Sequence, residues 1–156
     1  MTRSKHLLIL YHSQTGKTEV MADAVCRGAT HPDIQDVEVR MLRAADAGVT
    51  ELSWAHGLIV GTPENFGYMS GAMKDFFDRV YYPCEGRLEG LPFAVFIGAG
   101  NDGSGALRAV RRITSGLALK EVQEPVVCSS VLDEGVIEQC EQLGMSLAAG
   151  LEVGVF

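Results

Sequence analysis

Five strand-like runs alternate with helical stretches along this chain, and no other feature limits its fold so tightly. His6–Tyr11 is almost continuously apolar, too much so for a sheet with one wet face. Val37–Met41 alternates and reads as an edge strand, while Gly57–Gly61, Pro92–Gly98 and Val122–Cys128 are further strand-like runs. Between them lie helical patterns. The first runs from Thr15 to Gly28, with Val20, Met21, Ala24 and Val25 at helical spacing and Gly28 as its stop. A weak one runs from Ala44 to Trp54, with Thr50 as a candidate cap. The third, ending near Tyr82, groups Met69, Met73, Phe76, Phe77 and Val80 on one face. The fourth ends near Leu117, and a last one, capped by Asp133, bears Ile137, Cys140, Leu143, Leu147 and Leu151. Strict alternation with right-handed crossovers gives a parallel sheet with helices on both faces. Five strands suit the order 2-1-3-4-5. There is no internal repeat or linker, so residues 1–156 are expected to form a single α/β domain.

That strand order places ligands outside the carboxyl ends of the strands, where the order reverses between the first and third. The loops after strands 1, 3 and 4 meet there. The first is Ser13-Gln14-Thr15-Gly16-Lys17-Thr18. A helix start offers unpaired N–H groups and a positive dipole end, which suit a phosphate. Ser13, Thr15 and Thr18 add hydroxyls, Gly16 permits close backbone approach, and Lys17 adds a cation. An ordinary strand–helix connection, with Thr15 as N-cap and Thr18-Glu19 as a first-turn capping pair, accounts for the same residues. Gly16-Lys17-Thr18 also resembles the end of the triphosphate loop G-x-x-x-x-G-K-[ST], but its first glycine would fall on Tyr11, and the turn is too short.

The second loop, Thr62-Pro63-Glu64-Asn65-Phe66-Gly67-Tyr68-Met69-Ser70, sets aromatics among polar residues and glycine. A flat ring can rest on Phe66 or Tyr68 and receive hydrogen bonds from the Asn65, Phe66 and Gly67 amides; alternatively Phe66 tucks into the core. The third, Ala99-Gly100-Asn101-Asp102-Gly103-Ser104-Gly105, has three glycines in seven residues. It reads either as flexible turn chemistry or as backbone amides facing the carbonyl edge of a ring.

On these three loops, and on the helix from Met73 to Arg79, the chain resembles the flavodoxin-like FMN-binding superfamily, nearest its NADPH-dependent FMN reductase and quinone reductase branch. The resemblance implies a flavodoxin-like three-layer sandwich with a five-stranded parallel sheet of short-chain form. It implies that Ser13 to Thr18 hold the FMN phosphate, that Thr62 to Tyr68 pack beside the isoalloxazine ring, and that Ala99 to Gly105 cap its pyrimidine edge. The implied activity is that of an NAD(P)H oxidoreductase, passing hydride or electrons through FMN to a quinone-like or other acceptor. The alternative is an electron carrier that docks to a redox protein. Carrier flavodoxins enclose the flavin between aromatics of the second and third loops. This third loop has none, which leaves one flavin face open and favours the reductase.

Other features bound the reading. A net charge of −7 argues against nucleic acid or an anionic membrane as the main partner. No apolar run approaches a membrane span, and Met1 to His6 is too short for a signal peptide. Cys26, Cys84, Cys128 and Cys140 have no metal spacing and fit reduced thiols in a cytoplasmic protein. His6, His31, His56 and Trp54 fall away from the predicted site, and His12 beside it reads as structural. No Ser/His/Asp or Cys/His arrangement supports nucleophilic catalysis, so a bound flavin would bear the chemistry, with no catalytic side chain assigned. Homo-oligomer formation stays open.

Overall fold

The computed structural model describes residues 4–156. The first three residues of the Met1–His6 segment lie outside them. Strand β1 (Lys5–Tyr11) leads into helix α1 (Lys17–Ala29), edge strand β2 (Val37–Arg43) and the short helix α2 (Val49–Trp54). Strand β3 (Gly57–Asn65) turns back into β4 (Tyr68–Met69), followed by α3 (Gly71–Cys84) and β5 (Pro92–Gly98). Helix α4 (Ser104–Gly116), strands β6 (Lys120–Glu121) and β7 (Val126–Cys128), and helix α5 (Glu134–Val153) complete the order.

The parallel path β2-β1-β3-β5-β6 is the expected 2-1-3-4-5 order. Successive residues of β1 face opposite sides, and both sides are buried. Leu8 and Leu10 join the layer of α2, α3 and α4, packing with Phe76, Phe77 and Val110. Leu7, Ile9 and Tyr11 join the layer of α1 and α5, packing with Met21, Leu143 and Leu147. Covered on two faces, the strand can be apolar throughout. Among the described residues, no helix is long and apolar enough to cross a membrane.

Four local expectations need correction. The sheet has seven strands rather than five. The expected fifth strand, Val122–Cys128, survives only as β7; a separate β6 precedes it across a break at residues 122–125, and both pair with β5. Pro125, which lacks an N–H for the ladder, lies in the break. The Thr62–Ser70 loop is largely a hairpin, and Met69 belongs to its return strand rather than to α3. Gly28 does not end α1: a Cβ there would lie 1.8 Å from the Glu141 carbonyl oxygen, so this glycine lets α1 and α5 touch. The cap of α2 is Gly48, not Thr50, and the Glu51 carboxylate accepts from the Gly48 amide at 2.7 Å.

Candidate functional site

The C-terminal ends of β1, β3, β5 and β7 deliver four loops to one edge, and side-chain bonds tie these loops together. Asn65 Nδ2 donates to Gln14 Oε1 at 3.2 Å, joining the second loop to the first. Lys17 Nζ donates to the Ala99 carbonyl at 2.8 Å and to the Ser130 carbonyl at 2.5 Å. The first loop is thereby joined to the third and to the segment after β7.

The first loop differs from the N-cap expectation. Gly16, not Thr15, is the N-cap of α1, in the left-handed region at φ 101°. A glycine can hold that angle without strain. It has no side chain to cap the helix, and no side-chain bond reaches the first turn. Lys17, Thr18 and Glu19 occupy the positions whose amides find no partner inside a helix. Ser13 Oγ accepts from the Gly16 amide at 3.1 Å, which folds the turn toward the helix start. Gln14 and Thr15 are exposed. Thr18 is buried, and its hydroxyl faces Gly98: a Cβ on Gly98 would stand 2.7 Å from Thr18 Oγ1. It offers its amide, not its hydroxyl, to the open turn. The first-turn acid Glu19 turns aside to Arg43, 3.4 Å away.

The second loop is a hairpin with Asn65 opposite Tyr68. Phe66 (φ 53°) and Gly67 (φ 69°) form its two-residue turn, both left-handed. Phe66 is fully exposed rather than tucked into the core, and Tyr68 is 42% exposed. Thr62 and Pro63 are buried beneath them. Thr62 Oγ1 accepts from the Ser70 amide at 3.0 Å, and Ser70 Oγ caps α3 by accepting from the Met73 amide at 3.2 Å.

The third loop combines an exposed stretch with a fixed one. Ala99 and Gly103 are buried, while Gly100, Asn101 and Asp102 are exposed. Asp102 Oδ1 accepts from the Ser104 amide at 3.0 Å and the Ser104 hydroxyl at 2.8 Å, and these bonds hold its carboxyl below the usual carboxylate range. Gly105 is not a flexible turn residue. Its amide and that of Ala106 donate to Glu64 Oε2 at 2.9 and 3.1 Å. A Cβ on Gly105 would lie 2.0 Å from the Gly67 carbonyl oxygen, so the hairpin rests directly on the start of α4. The Gly105 amide is thus engaged by Glu64 rather than free for a ring edge. The part played by Glu64 left no local signal, since its partners lie 41 and 42 residues away.

His6, Trp54 and His56 fall away from the site, as expected. His6 stacks on Trp54 with ring centroids 4.2 Å apart, and its backbone amide donates to His56 Nδ1 at 2.8 Å, at the opposite end of β1. Lys74 and Arg79 pair with Asp78 and Asp75 on the face of α3, and Arg111 pairs with Glu121. His12 lies at the start of the first loop. Its Nδ1 is buried without a partner among the described residues, and burial, then the nearby Arg43, hold its pKa below the ordinary 6.5.

Comparison with known proteins gives a consistent picture. The chain is 36% identical over 99 residues to a flavodoxin of Aquifex aeolicus, covering 64% of this chain and 52% of that protein. It is 34% identical over 110 residues to an NAD(P)H dehydrogenase (quinone) of Acidithiobacillus ferrooxidans, covering 58% and 55% respectively. The chain spans about half the length of these curated relatives. The oxidised flavodoxin 1 of Bacillus cereus superposes with a TM-score of 0.79 at 20% identity, over 93% of this chain and 98% of that one. The fold is therefore flavodoxin-like. Residues 10–131 match the family described as NADPH-dependent FMN reductase, and the chain belongs to that family.

Proposed function

We propose that the four-loop edge binds FMN and that the chain is an NAD(P)H-dependent oxidoreductase acting on a quinone-like or other small acceptor. The observation that supports this most is the uncapped start of α1 beside a hairpin that presents Phe66 and Tyr68 to solvent. The donor set fits the cofactor. Backbone amides of Lys17, Thr18 and Glu19, with the Ser13 and Thr15 hydroxyls, suit a terminal phosphate monoester. A Cβ built on Gly16, Gly67 or Gly100 meets nothing within 4 Å, so these backbones border open space. In this reading Ser13, Gln14, Thr15, Gly16, Lys17 and Thr18 surround the phosphate. Asn65, Phe66, Gly67 and Tyr68 lie beside the ring, over Thr62, Pro63 and Glu64. Gly100, Asn101 and Asp102 face its pyrimidine edge, with Ala99, Gly103 and Gly105 beneath.

FMN, when bound, supplies the transfer of reducing equivalents between a nicotinamide and an acceptor. The chain orients the partners and controls access. Glu64 fixes the hairpin against α4, which sets where Phe66 and Tyr68 stand. The third loop offers only small or polar groups, which leaves room for a second flat molecule at stacking distance, about 3.5 Å. The reading takes residues 1–156 as one flavodoxin-like domain in a cytoplasmic setting, which four free thiols suit.

Anaerobic stopped-flow mixing of the FMN-loaded protein with NADPH and NADH tests the proposal. Direct bleaching of the flavin absorbance by either nucleotide is the expected result. Bleaching by dithionite but by neither nucleotide would replace the reductase with the electron carrier. Failure of the purified protein to bind FMN would reject both.

A further inference from the structure

Lys17 stands where a cation is least favoured, at the first position of α1, against the positive end of the helix dipole. Its ammonium reaches away from the helix to two carbonyls, of Ala99 and Ser130, which lie 82 and 113 residues along the chain. Ala99 follows β5, and its own amide donates to the Cys128 carbonyl at 2.8 Å. Ser130 follows β7, and Cys128 Sγ donates to the same Ser130 carbonyl at 3.4 Å. One side chain therefore joins the helix start to the ends of two neighbouring strands. The segment that it holds is otherwise open to water: Val131, the next residue, is 81% exposed.

We propose that Lys17 is a positioning residue, a staple that fixes the third loop and the segment after β7 against the start of α1. Two of its three N–H donors are committed to carbonyls, so its main task is to place loops rather than to grip the flavin phosphate. Two carbonyl dipoles offset the repulsion between the ammonium and the helix end. An anion on the first-turn amides would relieve that repulsion further and tighten the staple. Ligand binding and loop order are then coupled, and coupling is reciprocal. Loss of the staple should weaken any flavin whose ring lies among these loops, with or without a phosphate. The link to flavin rests on the FMN reading of the site; the staple itself does not.

Lys17→Met, which keeps a long unbranched stem without donors, separates the two. Hydrogen exchange of the ligand-free protein should become about ten-fold faster in peptides covering Ala99–Asp102 and Ser129–Leu132, with β1 and β3 unchanged. Unchanged exchange in those loops, or equal acceleration throughout the molecule, would overturn the staple. In flavin titrations, FMN and riboflavin should both lose affinity by a similar factor, about five-fold. A loss confined to FMN would make Lys17 a phosphate ligand and overturn the proposal. If the wild-type protein binds neither flavin, the FMN reading fails and the exchange result alone decides the staple.

Discussion

The starts of α1 and α4 share one local design and meet opposite fates. Each has a left-handed glycine N-cap, Gly16 at φ 101° and Gly103 at φ 75°, and neither cap can bond its own helix through a side chain. At α4 the chain fills the vacancy itself. Asp102 takes the Ser104 amide, and Glu64, from the hairpin, takes those of Gly105 and Ala106. At α1 the chain withholds its acids. Glu19 turns to Arg43, and the first-turn side chain Lys17 is a cation. A helix start is thus a candidate anion site only where the fold has not supplied the anion, and the two starts together show that the open one is not an accident of glycine capping.

The comparison breaks most violently at Gly105. A methyl group there must displace the Gly67 carbonyl, which is backbone and cannot swing aside. Gly105→Ala should cost about 3 kcal/mol in urea unfolding, from overpacking and loss of the hairpin contact. A cost under about 1 kcal/mol would show that hairpin and helix are not in tight contact. Removing the filling carboxylate comes next. Glu64→Ala should cost about 2 kcal/mol, as two charge-assisted bonds to a helix start are lost, and Glu64→Gln, which keeps an acceptor, should cost less. Equal costs for the two variants would deny the carboxylate its capping role.

At the open start the expected effect is on ligand rather than on fold. Thr15 is exposed and makes no cap, so Thr15→Ala should leave stability nearly unchanged. It should weaken FMN by roughly 1–2 kcal/mol and spare riboflavin, read by calorimetry of both. Equal weakening of both ligands would remove Thr15 from the phosphate.

The smallest effect is in pH. His12, at the open start, has its pKa lowered by burial and then by Arg43. The unfolded chain therefore takes up the proton first as pH falls below about 6.5, and stability declines from there down to the folded value. Asp102, at the filled start, is also lowered, so its contribution persists until pH falls below about 3.8. Between pH 7 and 5 acid should act through His12 and through His56, whose pKa burial likewise lowers, and not through Asp102. Urea midpoints at pH 7 and 5 check this: His12→Gln should flatten the slope, and Asp102→Asn should leave it.

Much of this was legible in the sequence, and the parts that were not share a cause. The apolar runs of β1, β3 and β5, the alternation with helices, and the meeting of the three loops all follow from local pattern. The hairpin was hidden because Pro63 discourages a strand and Phe66 is a poor residue for a left-handed turn position. Gly28 looked like a helix end because its reason lies on α5, at Glu141. Glu64 and Lys17 have partners 41 to 113 residues away, and no local window contains them. Local pattern therefore located the edge of the sheet, while the filling of one helix start and the stapling of the other are long-range facts.

Amide chemical shifts in the ¹⁵N-labelled protein test the contrast most directly. On titration with FMN, the amides of Lys17, Thr18 and Glu19 should move downfield as they donate to the phosphate. With riboflavin they should scarcely move, and the amides of Ser104, Gly105 and Ala106 should respond alike to the two ligands. Phosphate-dependent shifts at Ser104 to Ala106, or their absence at Lys17 to Glu19, would contradict the account.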